Sequence, residues 1–298
     1  MPYAAPFYVG SEIYRKPAFG FKHPLNIVRH AAVIDLLNML GWLDEQHFRE
    51  SQPATVDQLL EFHSRAYVRA LQYANATGKV EPDVRERYQV GTMENPLFPG
   101  LFERASMTVG GSILSAELAS QGHVVFHPSG GTHHGRADRA SGFCYFNDPV
   151  FAILTFLKSG SHSVFYIDLD AHHGDGVFYS FESDPDLIFA DLHEDGHYLY
   201  PGTGMAEETG SGAARGTKLN IPMPPEADDG LFYSAWEQAE DFIDAAAPQF
   251  ILFQCGADSI AGDPITHLRY SPAAHRHAAQ RLCRLADRHC NGRLLALG

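Results

Sequence analysis

From about residue 104 onward the chain alternates short, almost wholly apolar runs with longer segments of helical character, which leaves few architectures open. His123–Phe126, Ser163–Asp168, Leu187–Ala190 and Gln249–Gln254 read as short buried strands. Phe102–Ser120, Asn147–Lys158, Phe232–Ala246 and Pro272–His289 read as helices, the second opened by an Asn-Asp cap ahead of an apolar run. Strands that are apolar throughout and separated by helices predict a three-layer α/β fold, with a mainly parallel central sheet covered by helices on both faces. Gly110-Gly111 inside the first helix predicts close packing against a neighbour. Residues 127–147 and 193–217 are long glycine-rich connections, of the kind that carries function on a rigid scaffold. No repeat or linker divides the 298 residues, so they are read as one domain, 1–298.

Composition narrows the function. A net charge of −14 leaves no basic surplus to neutralise phosphates, so nucleic acid is not an expected partner. An acidic body suits cationic substrates such as lysine side chains or polyamines, and it equally serves solubility. No run approaches the ~18 consecutive apolar residues of a membrane span. The start, Met1-Pro-Tyr-Ala-Ala-Pro-Phe7, lacks the basic and apolar regions of a secretory signal, so cytoplasmic residence is the default expectation. Cys144, Cys255, Cys283 and Cys290 form no CxxC pair and are expected as reduced thiols, with Cys144 and Cys255 in apolar, strand-like runs.

The densest chemical signal is Asp168-Leu-Asp170-Ala-His172-His173-Gly-Asp175-Gly176. Strand side chains alternate, so Asp168, Asp170 and His172 are expected on one side of an extended segment. Two carboxylates and an imidazole at the carboxyl end of a buried strand are costly unless a divalent cation compensates them. Carboxylate and imidazole donors suit zinc, with manganese or iron as alternatives. A catalytic zinc takes three protein ligands and keeps one position open, and Asp258, which closes the apolar run Phe253-Gln-Cys-Gly-Ala-Asp258, is the expected third. A second signal is His127-Pro-Ser-Gly-Gly-Thr-His133-His134, where a glycine turn after a strand presents adjacent histidines. Histidine is the natural acid and base near neutral pH, and Asp168 and Asp175 are the available aspartate partners.

These residues together resemble the histone deacetylase family, which also takes in bacterial acetoin-utilisation proteins and acetylpolyamine amidohydrolases. The likeness runs from His23-Pro24 and Arg29, through Phe62-His63 and Ala66-Tyr67, to the last residue. It is carried by Gly-Gly-Thr-His133-His134, Ser-Gly142-Phe143-Cys, the aspartate-histidine run at 168–176, and Gly256-Ala-Asp258 with Gly262-Asp-Pro.

The resemblance implies an arginase-like fold and zinc-dependent hydrolysis of the amide in acyl-lysine, an acylated peptide or an acylated polyamine. It implies zinc on Asp170, His172 and Asp258, and His133 and His134 as tandem catalytic histidines partnered by Asp168 and Asp175 respectively. Gly142, Phe143 and Tyr200 would line a channel for the acyl-lysine stem, with Glu94 at the rim holding the substrate backbone or amine. A monovalent cation, K+ or Na+, would sit among Asp168, Asp170, His172, Asp191 and Leu192, although the family more often has serine at 191. Zinc would polarise the carbonyl and acidify its water. His134 would move the proton to the leaving amine, with His133 as its electrostatic partner.

The family continues its last strand into a glycine-rich turn bearing a tyrosine. The chain stops at Gly298 before that turn, so it is expected to be truncated there and weakly active. Two other readings remain: a ureohydrolase binding two manganese ions, echoed by Asp170-Ala-His172, and a non-catalytic acyl-lysine-binding module. The acyl-chain preference, the physiological substrate and whether the chain forms a homo-oligomer stay open.

Overall fold

The apolar runs do become strands, and all of them pair parallel. A computed structural model, which describes residues 6–19, 23–26 and 29–298, shows them in one sheet with four further strands. The first five residues of the amino-terminal stretch discussed above lie outside the described residues. In chain order the strands are β1 (Phe7–Gly10), β2 (Phe48–Glu50), β3 (Val124–His127), β4 (Val164–Asp168), β5 (Leu187–Glu194), β6 (Lys218–Met223), β7 (Phe250–Gln254) and β8 (Leu294–Leu297). Their order across the sheet is β2-β1-β3-β8-β7-β4-β5-β6, with every neighbouring pair parallel. The helices are α1 (Arg29–Met39), α2 (Val56–Leu59), α3 (Arg65–Thr77), α4 (Pro82–Tyr88), α5 (Leu101–Ser120), α6 (Asp148–Lys158), α7 (Asp175–Ser180), α8 (Asp229–Ala246) and α9 (Pro272–His289). Among the described residues no helix is long and apolar enough to cross a membrane.

Period-2 alternation divides each central strand between two apolar layers. Val164 and Tyr166 of β4, Phe250 and Leu252 of β7, and Leu295 of β8 pack with α5 and α6 through Ala116, Ile153 and Phe156. Phe165 and Ile167, Ile251 and Phe253, and Leu294 face the other way, onto Phe232, Trp236 and Ile243 of α8 and Leu282 and Leu285 of α9. The glycine pair in α5 has the predicted purpose. A Cβ on Gly110 would come 1.8 Å from the Gln52 carbonyl, and one on Gly111 would come 2.5 Å from His127 Nε2.

Four differences from the expected elements matter. Strand β3 is displaced by one residue, to end on His127, and β5 runs on through His193 and Glu194, which had been assigned to a connection. Strands β1, β2 and β6 have no counterpart in the sequence reading. Cys144 belongs to a tight turn and Cys255 follows β7, so neither lies in a strand, and all four cysteines are unpaired thiols.

Parallel sheets place their ligand sites beyond the carboxyl ends of the strands, where the order reverses. Here the connection from β4 leads outward to β5 while that from β7 leads the other way to β8, so the reversal falls between the neighbouring strands β4 and β7. The loop after β3 is tied down by the start of α6. Asn147 caps that helix, accepting the Val150 N–H at 3.2 Å, while its Nδ2 donates to the carbonyls of His133 (3.1 Å) and Gly135 (2.9 Å). Asn147→Ala should destabilise the protein by about 2–4 kcal/mol, a lost cap plus two buried carbonyls left unpaired. Urea unfolding measures this, and a loss below about 0.5 kcal/mol would contradict the clamp.

Candidate functional site

Leu169 N–H donates to Gln254 O at 3.0 Å, so the segments after β4 and β7 leave the sheet side by side. Strand β4 stops at Asp168, and the alternation expected to aim Asp168, Asp170 and His172 stops with it. Local turns aim the other two. Asp168 Oδ1 accepts the Asp170 N–H at 3.0 Å, and Asp170 Oδ1 accepts the His172 N–H at 2.8 Å. Each carboxylate thus closes a turn on the residue two ahead of it, as aspartate does in loops. Asp258 sits on the 3-10 turn Ala257–Ser259 after β7, its Oδ1 accepting the Ala171 N–H at 2.8 Å.

This geometry brings three donors together. His172 Nδ1 lies 3.0 Å from Asp170 Oδ1 and 2.8 Å from Asp258 Oδ2, and the ligand-capable atoms of all three residues fall within 4.8 Å of one another. Their side chains are only 13–18% exposed. Burial lowers the His172 pKa, but its bonds to the two carboxylates more than reverse this, pushing it up to about 11. Burial opposes ionisation of Asp170, and the His133 charge together with the His172 hydrogen bonds still draws its pKa well below the usual range. The pocket therefore selects positive charge, and two carboxylates with one imidazole fit a divalent cation. A Cβ on Gly256 would come 2.3 Å from Asp170 Oδ2. Gly256→Ala should therefore displace that carboxylate and weaken divalent-metal affinity by about 10- to 100-fold, as measured by titration. Unchanged affinity would separate Asp170 from the metal.

The tandem histidines stand beside this cluster with opposite electrostatics. His133 Nδ1 donates to Asp168 Oδ2 at 2.8 Å, and the same oxygen receives the Tyr166 hydroxyl at 2.6 Å. His134 Nδ1 donates to Asp175 Oδ1 at 2.7 Å, and Arg136 pairs with the other oxygen of Asp175. The two Nε2 atoms are 3.1 Å apart, which requires one to donate and the other to accept. Burial lowers His133, but the charges of Asp168 and Asp170 outweigh it and raise the pKa to about 10. Burial and the neighbouring His133 charge lower His134 to about 4, against the pull of Asp175. His133 is thus the donor, and His134 a neutral imidazole with an Nε2 lone pair.

The stability signs follow from linkage. Between about pH 4 and 6.5 the unfolded chain binds a proton that folded His134 refuses, so His134 favours the fold as pH rises through that window. His133 does the reverse, its contribution being complete below 6.5 and lost as pH rises towards about 10. In the metal-free protein, NMR of the imidazole nitrogens should find His134 neutral at about pH 5.5 and His133 protonated at about pH 8. A His134 midpoint above 6.5 would contradict this arrangement.

The remaining site residues fall around these two. Gly142 and Phe143 form a turn resting on His134, and the Tyr200 ring meets the His134 ring edge-on at 5.2 Å between centroids. Phe143 packs against His23 at 4.5 Å. Glu94 Oε1 accepts the Gly142 N–H at 2.6 Å, so this oxygen is turned inward to the loop. Asp191 pairs with Asp168 in register across β4 and β5, accepting the Gly174 N–H at 2.8 Å and facing His193 Nδ1 at 2.9 Å. The Leu192 side chain lies in the apolar layer below α8, and its backbone pairs with Ile221 of β6.

Several supporting residues escaped the sequence reading. Asp148, fully buried, accepts from Ser112 Oγ (2.5 Å), Gly131 N–H (3.1 Å) and Thr132 N–H (2.7 Å), fixing the turn that presents the histidines. His173 holds Thr203 Oγ1 at 2.8 Å, and His193 donates to Gly204 O at 3.0 Å, anchoring the loop of Tyr200. Asn147-Asp148 was visible only as a helix cap, and His173 only as the neighbour of a ligand.

Residues 23–298 match the family described as the histone deacetylase domain. The chain belongs to the histone deacetylase family. It is 36% identical over 294 residues to the acetoin utilization protein AcuC of Bacillus subtilis (strain 168), a match covering 98% of this chain and 76% of that protein. It is 31% identical to a probable deacetylase of Archaeoglobus fulgidus, over 96% of this chain and 78% of the relative. The crystal structure of a histone deacetylase homolog from Aquifex aeolicus superposes with a TM-score of 0.92 at 32% identity, covering 98% of this chain and 78% of that one. A histone deacetylase homolog complexed with SAHA gives 0.93 at 32% identity, over 99% and 79%. For this member of the deacetylase family, the fold and a His/Asp/Asp cluster able to hold a divalent metal are consistent with a family-type hydrolase.

Proposed function

We propose that the chain is a single catalytic domain that hydrolyses the amide of an acylated lysine or a related acylated amine, using one zinc ion. The observation that carries this reading is the placement of His134, held through Nδ1 by Asp175 and standing 5.8 Å, ring to ring, from His172 of the metal cluster. Asp170, His172 and Asp258 would hold the zinc, or iron or manganese in its place. Once bound, the ion supplies Lewis acidity toward the amide carbonyl and a water acidified to near neutral pH.

The other steps belong to the chain's own side chains. His134 takes the proton of the attacking water on Nε2 and returns it to the leaving amine, while Asp175 holds its tautomer through Nδ1. His133, whose Nδ1 donates to Asp168, supports charge that develops beside it. Phe143, Gly142 and Tyr200 wall the stem of the substrate, and Glu94 stands at the rim. Asp168, Asp170, His172, Asp191 and Leu192 would hold a monovalent cation, K+ or Na+.

Zinc-loaded protein should contain one ion per chain and release the acyl group from acetyl-lysine peptides. Asp258→Ala should lose the zinc. His134→Ala should keep it and lose about 100- to 10,000-fold in kcat. Equal zinc in Asp258→Ala removes that ligand, and an unimpaired His134→Ala removes the proposed acid and base.

A further inference from the structure

The turn that carries Phe143 is strained. Ser141 and Cys144 exchange both backbone hydrogen bonds, at 3.1 and 2.8 Å, and the two residues between them have φ of +53° (Gly142) and +67° (Phe143). This is a two-residue hairpin turn of type I′, which glycine enters freely and an aromatic residue does not. Strain of this kind persists only where the surroundings hold it.

The surroundings hold it from two sides. Glu94 Oε1 accepts the Gly142 N–H at 2.6 Å, and the Glu94 carbonyl faces His23 Nε2 at 3.2 Å. The His23 ring in turn meets Phe143 edge-on at 4.5 Å, closing a ring of contacts that begins and ends at Glu94. Opposite, Ser141 Oγ lies 2.7 Å from the Tyr200 hydroxyl, tying the turn to the loop of Tyr200. The tip rests directly on the proposed base, since a Cβ on Gly142 would fall 2.3 Å from His134 Cδ2. A turn that lifted would therefore release the His134 ring and withdraw Phe143 from the channel wall together.

We propose that Glu94 is a positioning residue: by accepting the Gly142 N–H it holds the Ser141–Cys144 turn down on His134 and keeps Phe143 in place. The inference rests on the deacylase reading above, and it gives Glu94 a different task from gripping substrate. The two tasks demand different properties of the side chain. Holding the turn needs reach and an acceptor oxygen, which glutamine keeps and the shorter aspartate does not. Gripping a substrate amine needs negative charge, which aspartate keeps and glutamine does not.

Glu94→Gln and Glu94→Asp are compared with wild type in zinc-loaded full chain, for kcat and KM on an acetyl-lysine peptide. Hydrogen exchange of the Gly142 amide is followed by NMR without substrate. Glu94→Gln should retain kcat within about threefold and keep Gly142 protected. Glu94→Asp should lose about tenfold or more in kcat and exchange Gly142 at least about tenfold faster, at unchanged zinc content. The opposite ranking, or equal behaviour of the two variants, overturns the proposal. Absence of hydrolysis in wild type would sink the deacylase reading, and the exchange rates would still decide whether Glu94 holds the turn.

Discussion

Negative charge is concentrated where β4, β5 and β7 run out, and the surrounding structure is arranged to make it tolerable. Asp168 and Asp191 are fully buried side by side in register, with Asp170 and Asp258 just beyond. Unpaired, these groups would cost several kcal/mol each. Asp168 is satisfied by Tyr166, His133 and the Asp170 N–H, and Asp191 by Gly174 N–H and His193. The register carries this line across the sheet through His127, Gln254, Asp168, Asp191 and Asn220, interrupted by the apolar Leu297 between the first two. Both apolar layers lie on the strand bodies behind that line, and the loops beyond it carry the chemistry. What hydrogen bonds leave over is the pair Asp170 and Asp258, which share one imidazole and fit a cation.

The same charge distribution separates two histidines that are adjacent in sequence. His133 faces Asp168, Asp170 and Asp191, whose charges all raise its pKa. His134 faces Asp175, whose charge is already shared with Arg136. A carboxylate already neutralised by a guanidinium can fix a tautomer without turning its partner into a cation. The neighbouring imidazoles differ because burial and the His133 charge outweigh Asp175 at His134, whereas the carboxylates outweigh burial at His133.

Much of this was legible in the chain because burial on both faces leaves a plain record. Strands β4 and β7 and helices α5, α6, α8 and α9 are dense in apolar residues, and the Asp/His run at 168–176 has no sensible uncharged reading. Strand β6 was not legible: Lys218-Leu-Asn-Ile-Pro-Met223 opens with a lysine and contains a proline, and it is an edge strand. The lysine is buried there because its Nζ donates to the Asp184 carbonyl at 3.0 Å and to the Leu187 carbonyl, long-range partners that no local pattern announces. The aim of Asp170 and His172 was read from strand alternation, and it comes instead from turns closed by the side chains of Asp168 and Asp170. Glu94 was legible as a rim acid, but its contact with Gly142 spans 48 residues and depends on a left-handed turn.

The placement of β7 between β4 and β8 bears on how the molecule comes into being. Asp170 and His172 leave β4, whereas Asp258 arrives only after the chain has made β5, β6 and α8 and returned to insert β7 at β4's other edge. Parallel pairings between such distant segments form slowly, because the loop must close before any contact rewards it. A nascent chain thus offers an ion two of its three donors, and the third joins when the centre of the sheet is finished. Capture of a metal by this cluster would then be a late event, stabilising the completed molecule by mass action and doing little to guide the chain toward it.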